Sequence, residues 1–162
     1  MITKESILSI LAQVSDPEVP VLSILDLGIV RDIQIHDDDK VDIGITPTYS
    51  GCPAMSMIAV NIKMELLAHG FKQVNIHEVL SPAWTTDWMT DEGKKKLKAY
   101  GIAPPNPRQQ VCNSNLFAEE AIQCPHCNSY HTHRISEFGS TACKSLHQCD
   151  DCKEPFDYFK CH

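Results

Sequence analysis

Apolar residues at Ile7, Leu8, Ile10, Leu11 and Val14 recur at helical spacing, so residues 2–14 predict an amphipathic helix with Thr3 as its cap and Ser6 three residues on. Asp16-Pro17-Glu18-Val19-Pro20 breaks it, because a residue before proline is pushed toward extended backbone. Leu22 to Gly28 reads as a loop or short turn. Strict alternation follows on both sides of the polar turn Asp37-Asp38-Asp39-Lys40: Val30, Ile33 and Ile35 before it, Val41, Ile43 and Ile45 after it. That pattern predicts an antiparallel hairpin with one buried face. The aspartates lack the glycine and distal glutamate of a calcium loop.

From Pro53 to about His69 the period returns to helical, with Ile58, Ile62 and Leu66 on one face, Met55 and Ala59 beside them, and Gly70 as the stop. Met55, Met57 and Met64 read as core filler. Val74, Ile76 and Glu78 predict a third strand. A loop with two tryptophans, Leu80 to Met89, leads to Thr90, which caps a short helix from Asp91 to Tyr100. That helix is acidic at its start and lysine-rich at its end, as the helix dipole favours. Three prolines in Pro104-Pro105-Asn106-Pro107 make a stiff spacer. The expected organisation is an N-terminal domain over 1–103, a linker over 104–123 that contains Cys112, and a small domain over 124–162.

Composition narrows the function. The 162 residues are 43% hydrophobic and 22% charged, the balance of a globular chain with a real core. A net charge of −7 argues against a nucleic-acid partner, which calls for clustered Lys and Arg. Met1 to Ser6 holds no basic region followed by an apolar core, and no apolar run is long enough for a membrane span. A cytoplasmic protein is expected, and its eight cysteines are then not a disulfide framework. No nucleophile–base–orienter set, phosphate loop or nucleotide fingerprint is present, so catalysis by this chain is not expected.

Two places carry candidate chemistry. Thr46-Pro47-Thr48-Tyr49-Ser50-Gly51-Cys52-Pro53 joins a strand to a helix, with Pro53 suited to the first helical position and Cys52 to the cap. A sulfur beside the unpaired amides of a helix start favours thiolate over thiol; the alternative is a small buried residue at a tight turn. In the last third, Cys124-Pro125-His126-Cys127 and Cys149-Asp150-Asp151-Cys152 are two C-x-x-C hooks separated by 21 residues. Four thiolates so spaced suit tetrahedral zinc in a zinc ribbon, where metal replaces a core too small to stand alone. Iron remains an alternative metal. No βαβ pattern surrounds either hook, which disfavours a redox pair. Cys143 falls outside the hooks, as a structural thiol, an alternative ligand or a reactive group beside Lys144. Cys161 and His162 form at most an adventitious site.

These pieces together resemble a known family. Asp16-Pro17-Glu18, Ile24-Leu25-Asp26-Leu27-Gly28-Ile29-Val30, Gly51-Cys52-Pro53 and Pro82-Ala83-Trp84 resemble the MIP18/DUF59 family of iron–sulfur assembly proteins. Ala83 to Trp88, Lys98 to Pro105, Phe138 to Lys144 and Glu154-Pro155-Phe156 are similar to the more specific PaaD family, encoded with the phenylacetyl-CoA ring epoxidase. The resemblance implies an α/β domain of the α+β type, a short sheet packed by helices, followed by a zinc ribbon. It implies an accessory role in aerobic phenylacetate breakdown, maturing a metal centre in the epoxidase's di-iron oxygenase or its iron–sulfur reductase. Cys52 then becomes the residue that handles iron or a transient iron–sulfur cluster, with Asp16 and Asp26 nearby. One cysteine cannot complete a stable cluster. A homodimer apposing two Cys52 thiolates, or an accessory thiol such as Cys112 or Cys143, would supply further ligands.

Overall fold

The computed structural model describes residues 2–49, 51–105 and 122–160. It divides after Gly93 into two compact units. In the first unit, helix α1 (Lys4–Leu11) starts at a reciprocal cap in which Thr3 and Ser6 satisfy each other's backbone N–H, and it buries Ile7, Ile10 and Leu11. A loop closed by the Ser15–Ser23 bridge follows. The stretch expected as a loop then contains a one-turn helix, α2 (Ile24–Leu27). Ser23 and Asp26 cap it reciprocally, and Gly28 closes it in the left-handed conformation at φ 71°. The signal was present as Ser-x-x-Asp before a glycine, but four residues are too few to show a helical period.

The expected hairpin is β1 (Val30–His36) against β2 (Lys40–Ile45), antiparallel, with Ile33 opposite Ile43 and Ile35 opposite Val41. Asp38 and Asp39 both take positive φ, 63° and 59°, in the three-residue turn between the paired His36 and Lys40. Helix α3 (Ala54–Ala68) then carries the chain back to β3 (Gln73–Glu78), which pairs parallel to β2. The sheet order is β1-β2-β3. Its apolar face, Val41, Ile43, Ile45 and Val74, is buried, as are Ile58, Ile62 and Leu66 of α3. Each such side chain contributes on the order of 1.5–3 kcal/mol. Of the methionines expected as core filler, only Met55 is buried. Met57 and Met64 stand 53% and 64% exposed on the opposite face of α3, because helical spacing from Ile58 and Ile62 rotates them outward.

The tryptophan loop is pinned to the hairpin's entry. Trp84 is buried and donates its indole N–H to the Leu27 carbonyl at 2.8 Å. Arg31 lies 3.8 Å above the Trp88 ring, and a Cβ at Gly28 would strike the Trp88 carbonyl. Thr90 accepts from the Gly93 N–H at 3.0 Å, capping α4 (Asp91–Tyr100) as expected.

The second unit is a four-stranded sheet of order β4-β7-β6-β5, from β4 (Ile102–Ala103), β5 (Thr132–Ser136), β6 (Lys144–Cys149) and β7 (Pro155–Phe159). Here the expected boundary shifts. Ile102 and Ala103, assigned from sequence to the first domain, pair parallel to Asp157 and Tyr158 of β7. Ile122, assigned to the linker, is buried with Ala103, Cys124, Cys149, Phe156 and Tyr158 in the ribbon's core. Most of the expected linker, with Cys112, and the Cys161-His162 end lie outside the described residues. Among the described residues no helix is long and apolar enough to cross a membrane.

Candidate metal and thiol sites

The four hook cysteines converge. Their sulfurs all lie within 4.8 Å of one another, with Cys124 to Cys152 at 3.7 Å and Cys127 to Cys149 at 3.5 Å. A zinc ion about 2.3 Å from four sulfurs makes a tetrahedron with edges of about 3.8 Å, so the donor set fits that metal. None of the described cysteines is in a disulfide.

Each sulfur is brought there by the same local fold, built twice. In the first knuckle the Asn128 N–H donates to the Cys124 carbonyl at 2.9 Å, the Cys124 N–H to Ser129 at 2.8 Å, and the Gln123 side-chain amide to the Asn128 carbonyl at 3.1 Å. In the second, Lys153, Cys149 and Gln148 repeat these bonds onto Cys149, Glu154 and Lys153 at 3.1 Å each. Asn128 and Lys153 both turn the chain through positive φ, 63° and 66°. The repeated Gln-Cys-x-x-Cys was legible in the sequence and went unread.

Amide groups of Cys152 and Asp151 directed at the Cys149 sulfur hold its thiol down at about 7. Cys152, although the Glu154 N–H points at its sulfur, is pushed up to about 12 by desolvation and by the thiols around it. Four sulfurs this close cannot all ionise without a cation among them. Next to them His147 is buried, stacked 5.7 Å from Phe156 and bonded to the Ser145 hydroxyl at 2.9 Å. Burial holds its imidazole down at about 4, so it is neutral. Cys143 is buried outside the cluster, its sulfur 2.9 Å from the Thr141 hydroxyl.

The second site is the loop between β2 and α3. Thr46 is buried and anchored to Ile29 through a 2.9 Å backbone bond, and Gly51 takes φ 76° to turn the chain. Pro53, rather than Cys52, is the cap residue of α3, so Cys52 sits one position earlier than the spacing suggested. The Ala54 N–H and the Tyr49 hydroxyl still reach the Cys52 sulfur. They do not make it a thiolate. Burial pushes the thiol up, and the charges of Glu18 and Asp16 push the same way. The expectation of a low-pKa cysteine is corrected: desolvation outweighs the amide and the phenol.

Asp16 is buried and accepts from the N–H groups of Glu18 at 2.7 Å and Val19 at 3.1 Å, which presents Glu18 toward this loop. The Tyr49 hydroxyl reaches Glu18 at 3.4 Å. Glu18 and Tyr49 were missed from sequence because neither lies at a fixed spacing from Cys52. The Asp26 carboxylate accepts from the Ser23 N–H at 3.0 Å and the Thr90 hydroxyl at 3.4 Å. Among the described residues only the four ribbon cysteines gather three or more such donors within 4.8 Å, so Cys52, Asp16 and Glu18 do not form a cluster of that kind.

Residues 108–160 match the PaaD zinc beta ribbon domain, and residues 4–77 match the iron–sulfur cluster assembly protein family. A putative component of the 1,2-phenylacetyl-CoA epoxidase of Escherichia coli K12 is 50% identical over 94% of this chain and 90% of its own. The chain belongs to the PaaD family. The chain is also 37% identical to a Bacillus subtilis protein named Fe-S protein maturation auxiliary factor YitW, over 58% of this chain and 92% of that one. The crystal structure of a DUF59 domain from Bacillus anthracis matches with a TM-score of 0.55 at 26% identity, covering 58% of this chain and 90% of that one. This chain thus joins a DUF59-like unit to a ribbon.

Proposed function

We propose that this protein is a non-catalytic maturation factor for the metal centre, iron–sulfur or di-iron, of the phenylacetyl-CoA epoxidase complex. Cys52 handles iron or a cluster as cargo, and the zinc-bearing ribbon folds the second unit and docks the client. The observation that carries this reading is the half-buried Cys52 thiol on the loop between β2 and α3, close enough to Glu18 and Asp16 to feel their charge. The names of similar proteins support the same direction, since relatives of the first unit are called iron–sulfur protein maturation factors.

At rest the raised pKa keeps Cys52 protonated, which guards an unloaded thiol against oxidation. An arriving iron cation offsets the Glu18 and Asp16 charge; the thiol proton leaves to water and the sulfur bonds to iron. Too few donors close around it to hold it permanently. Ligands of the client complete the coordination and displace Cys52, which takes a proton back from water. A loaded homodimer sharing two Cys52 sulfurs would serve the same step.

A second reading is an adaptor within the epoxidase complex that carries no labile metal, favoured by the same upward shift of Cys52. Anaerobic purification of wild type and Cys52→Ser, with zinc, iron and sulfide counted per chain and client activity measured after co-expression, separates the two. One zinc in both proteins, with iron and client activity lost only in Cys52→Ser, is the expected result. Full client activity with Cys52→Ser overturns the carrier role in favour of the adaptor.

A further inference from the structure

The two knuckles share the three bonds described above and differ at one pair of equivalent positions. Ser129 follows the left-handed Asn128; Glu154 follows the left-handed Lys153. Glu154 accepts the Cys149 N–H through its carbonyl and its side chain is exposed. Ser129 accepts the Cys124 N–H in the same way, and its hydroxyl also reaches across to the second knuckle. It donates to the carboxylate of Asp151, the residue just before Cys152. It also accepts the His131 N–H at 3.0 Å. The His131 ring nitrogen lies 3.1 Å from the same carboxylate, and its carbonyl accepts the Asp150 N–H at 2.7 Å. A continuous chain of hydrogen bonds thus runs from Cys124 through Ser129 to Asp151, joining the hooks through protein atoms alone.

We propose that Ser129 and Asp151 are positioning residues for the ribbon's metal: their bond sets the separation of the two knuckles before the ion arrives, and so governs how tightly and how long it is held. The physical reason is preorganisation. Without such a bond the pairing of β5 with β6 and the His131–Asp150 backbone bond still hold the hooks together, but Asp151 and the adjoining Cys152 are left freer, and ordering them falls to the metal at an entropic cost. Groups outside the coordination sphere that orient ligands are worth about 10–100-fold in metal affinity. This makes the ribbon metal a resident ion, in contrast to cargo at Cys52. The inference rests on the reading of the four cysteines as a metal site.

Full-length wild type, Ser129→Ala, Ser129→Thr and Asp151→Ala are compared by chelator competition for Zn²⁺, by the rate of Zn²⁺ release, and by the visible spectrum of the Co²⁺-substituted protein. Expected are about tenfold or greater weakening and faster release in Ser129→Ala and Asp151→Ala, with altered cobalt bands. Ser129→Thr, which keeps the hydroxyl, retains wild-type behaviour. Unchanged affinity and spectra in Ser129→Ala overturn the clamp, as does a loss in Ser129→Thr equal to that in Ser129→Ala, which would indicate packing rather than the bond. If Asp151→Ala does not fold, the two Ser129 variants decide. A wild type that binds no Zn²⁺ overturns the metal reading itself, a result distinguishable from failure of the clamp alone.

Discussion

Cys52 and the ribbon cysteines are both thiols at turns, yet they differ in number, in neighbouring charge and in what holds their backbone. The ribbon gathers four sulfurs within 4.8 Å and fixes them by a repeated set of backbone bonds. Cys52 stands beside carboxylates, on a loop whose ends are set by a sheet and a helix. On the proposed reading, the first arrangement holds an ion that stays and the second one that leaves. The units around them differ in parallel. The first is held by a conventional apolar core of Ile7, Leu11, Ile43, Ile58 and Leu66, whereas the second places Cys124 and Cys149 within its small core. One unit is stabilised by side-chain burial; the other, on the proposed reading, adds coordination to a small buried core.

The strongest way to break that comparison is Cys149→Ser. Structural zinc contributes on the order of 10–16 kcal/mol in small zinc domains, so the ribbon is expected to lose metal and unfold while the first unit keeps its helical circular dichroism. Retention of the ribbon's fold without metal, seen by NMR, would erase the distinction. Ile62→Ala tests the other half: a cost of about 2–5 kcal/mol to the first unit, with zinc content unchanged. Asp26→Ala removes a reciprocal cap and the Thr90 anchor, and is expected to cost about 1–2 kcal/mol in urea denaturation without affecting iron loading. Lys153→Gly relieves a left-handed lysine, a gain of up to about 1 kcal/mol in ribbon stability. Smallest is an effect on titration alone. Glu18→Gln removes a like charge, so the pH profile of Cys52 alkylation shifts to lower pH. The sign follows from the raised thiol: its folded form holds the proton more tightly, so its contribution to stability is full below the unfolded thiol value and is lost as pH rises through the folded value.

Elements long enough to show a period were legible in the sequence: α1, the β1–β2 hairpin, α3, β3 and the zinc hooks. Two of the elements that escaped have too few residues to repeat. Helix α2 is a single turn, and β4 is two residues whose pairing partner lies more than fifty positions away. Strand β6 carries Ser145, His147 and Cys149 where alternation calls for apolar residues, because its buried positions are filled by a neutral histidine and a metal-type thiol. At the candidate site the cysteine was found by its Gly-Cys-Pro context, but Glu18 and Tyr49 were not. Their approach depends on how residues 15–23 close over the loop, a tertiary fact. The thiolate expectation failed for the same reason: a helix start is visible in sequence, and desolvation is not.

Strands β2 and β3 run parallel with α3 between them, so the Cys52 loop sits at the carboxyl end of a strand in a β–α–β unit. In evolutionary terms this uncouples chemistry from architecture. Val41, Ile43 and Ile45 on one side and Ile58, Ile62 and Leu66 on the other fix both ends of the connection through burial alone. The intervening residues 46–53 can lengthen, shorten or change their donors while the scaffold stays put. On the proposed carrier reading, a lineage can therefore change its cargo by rewriting one loop.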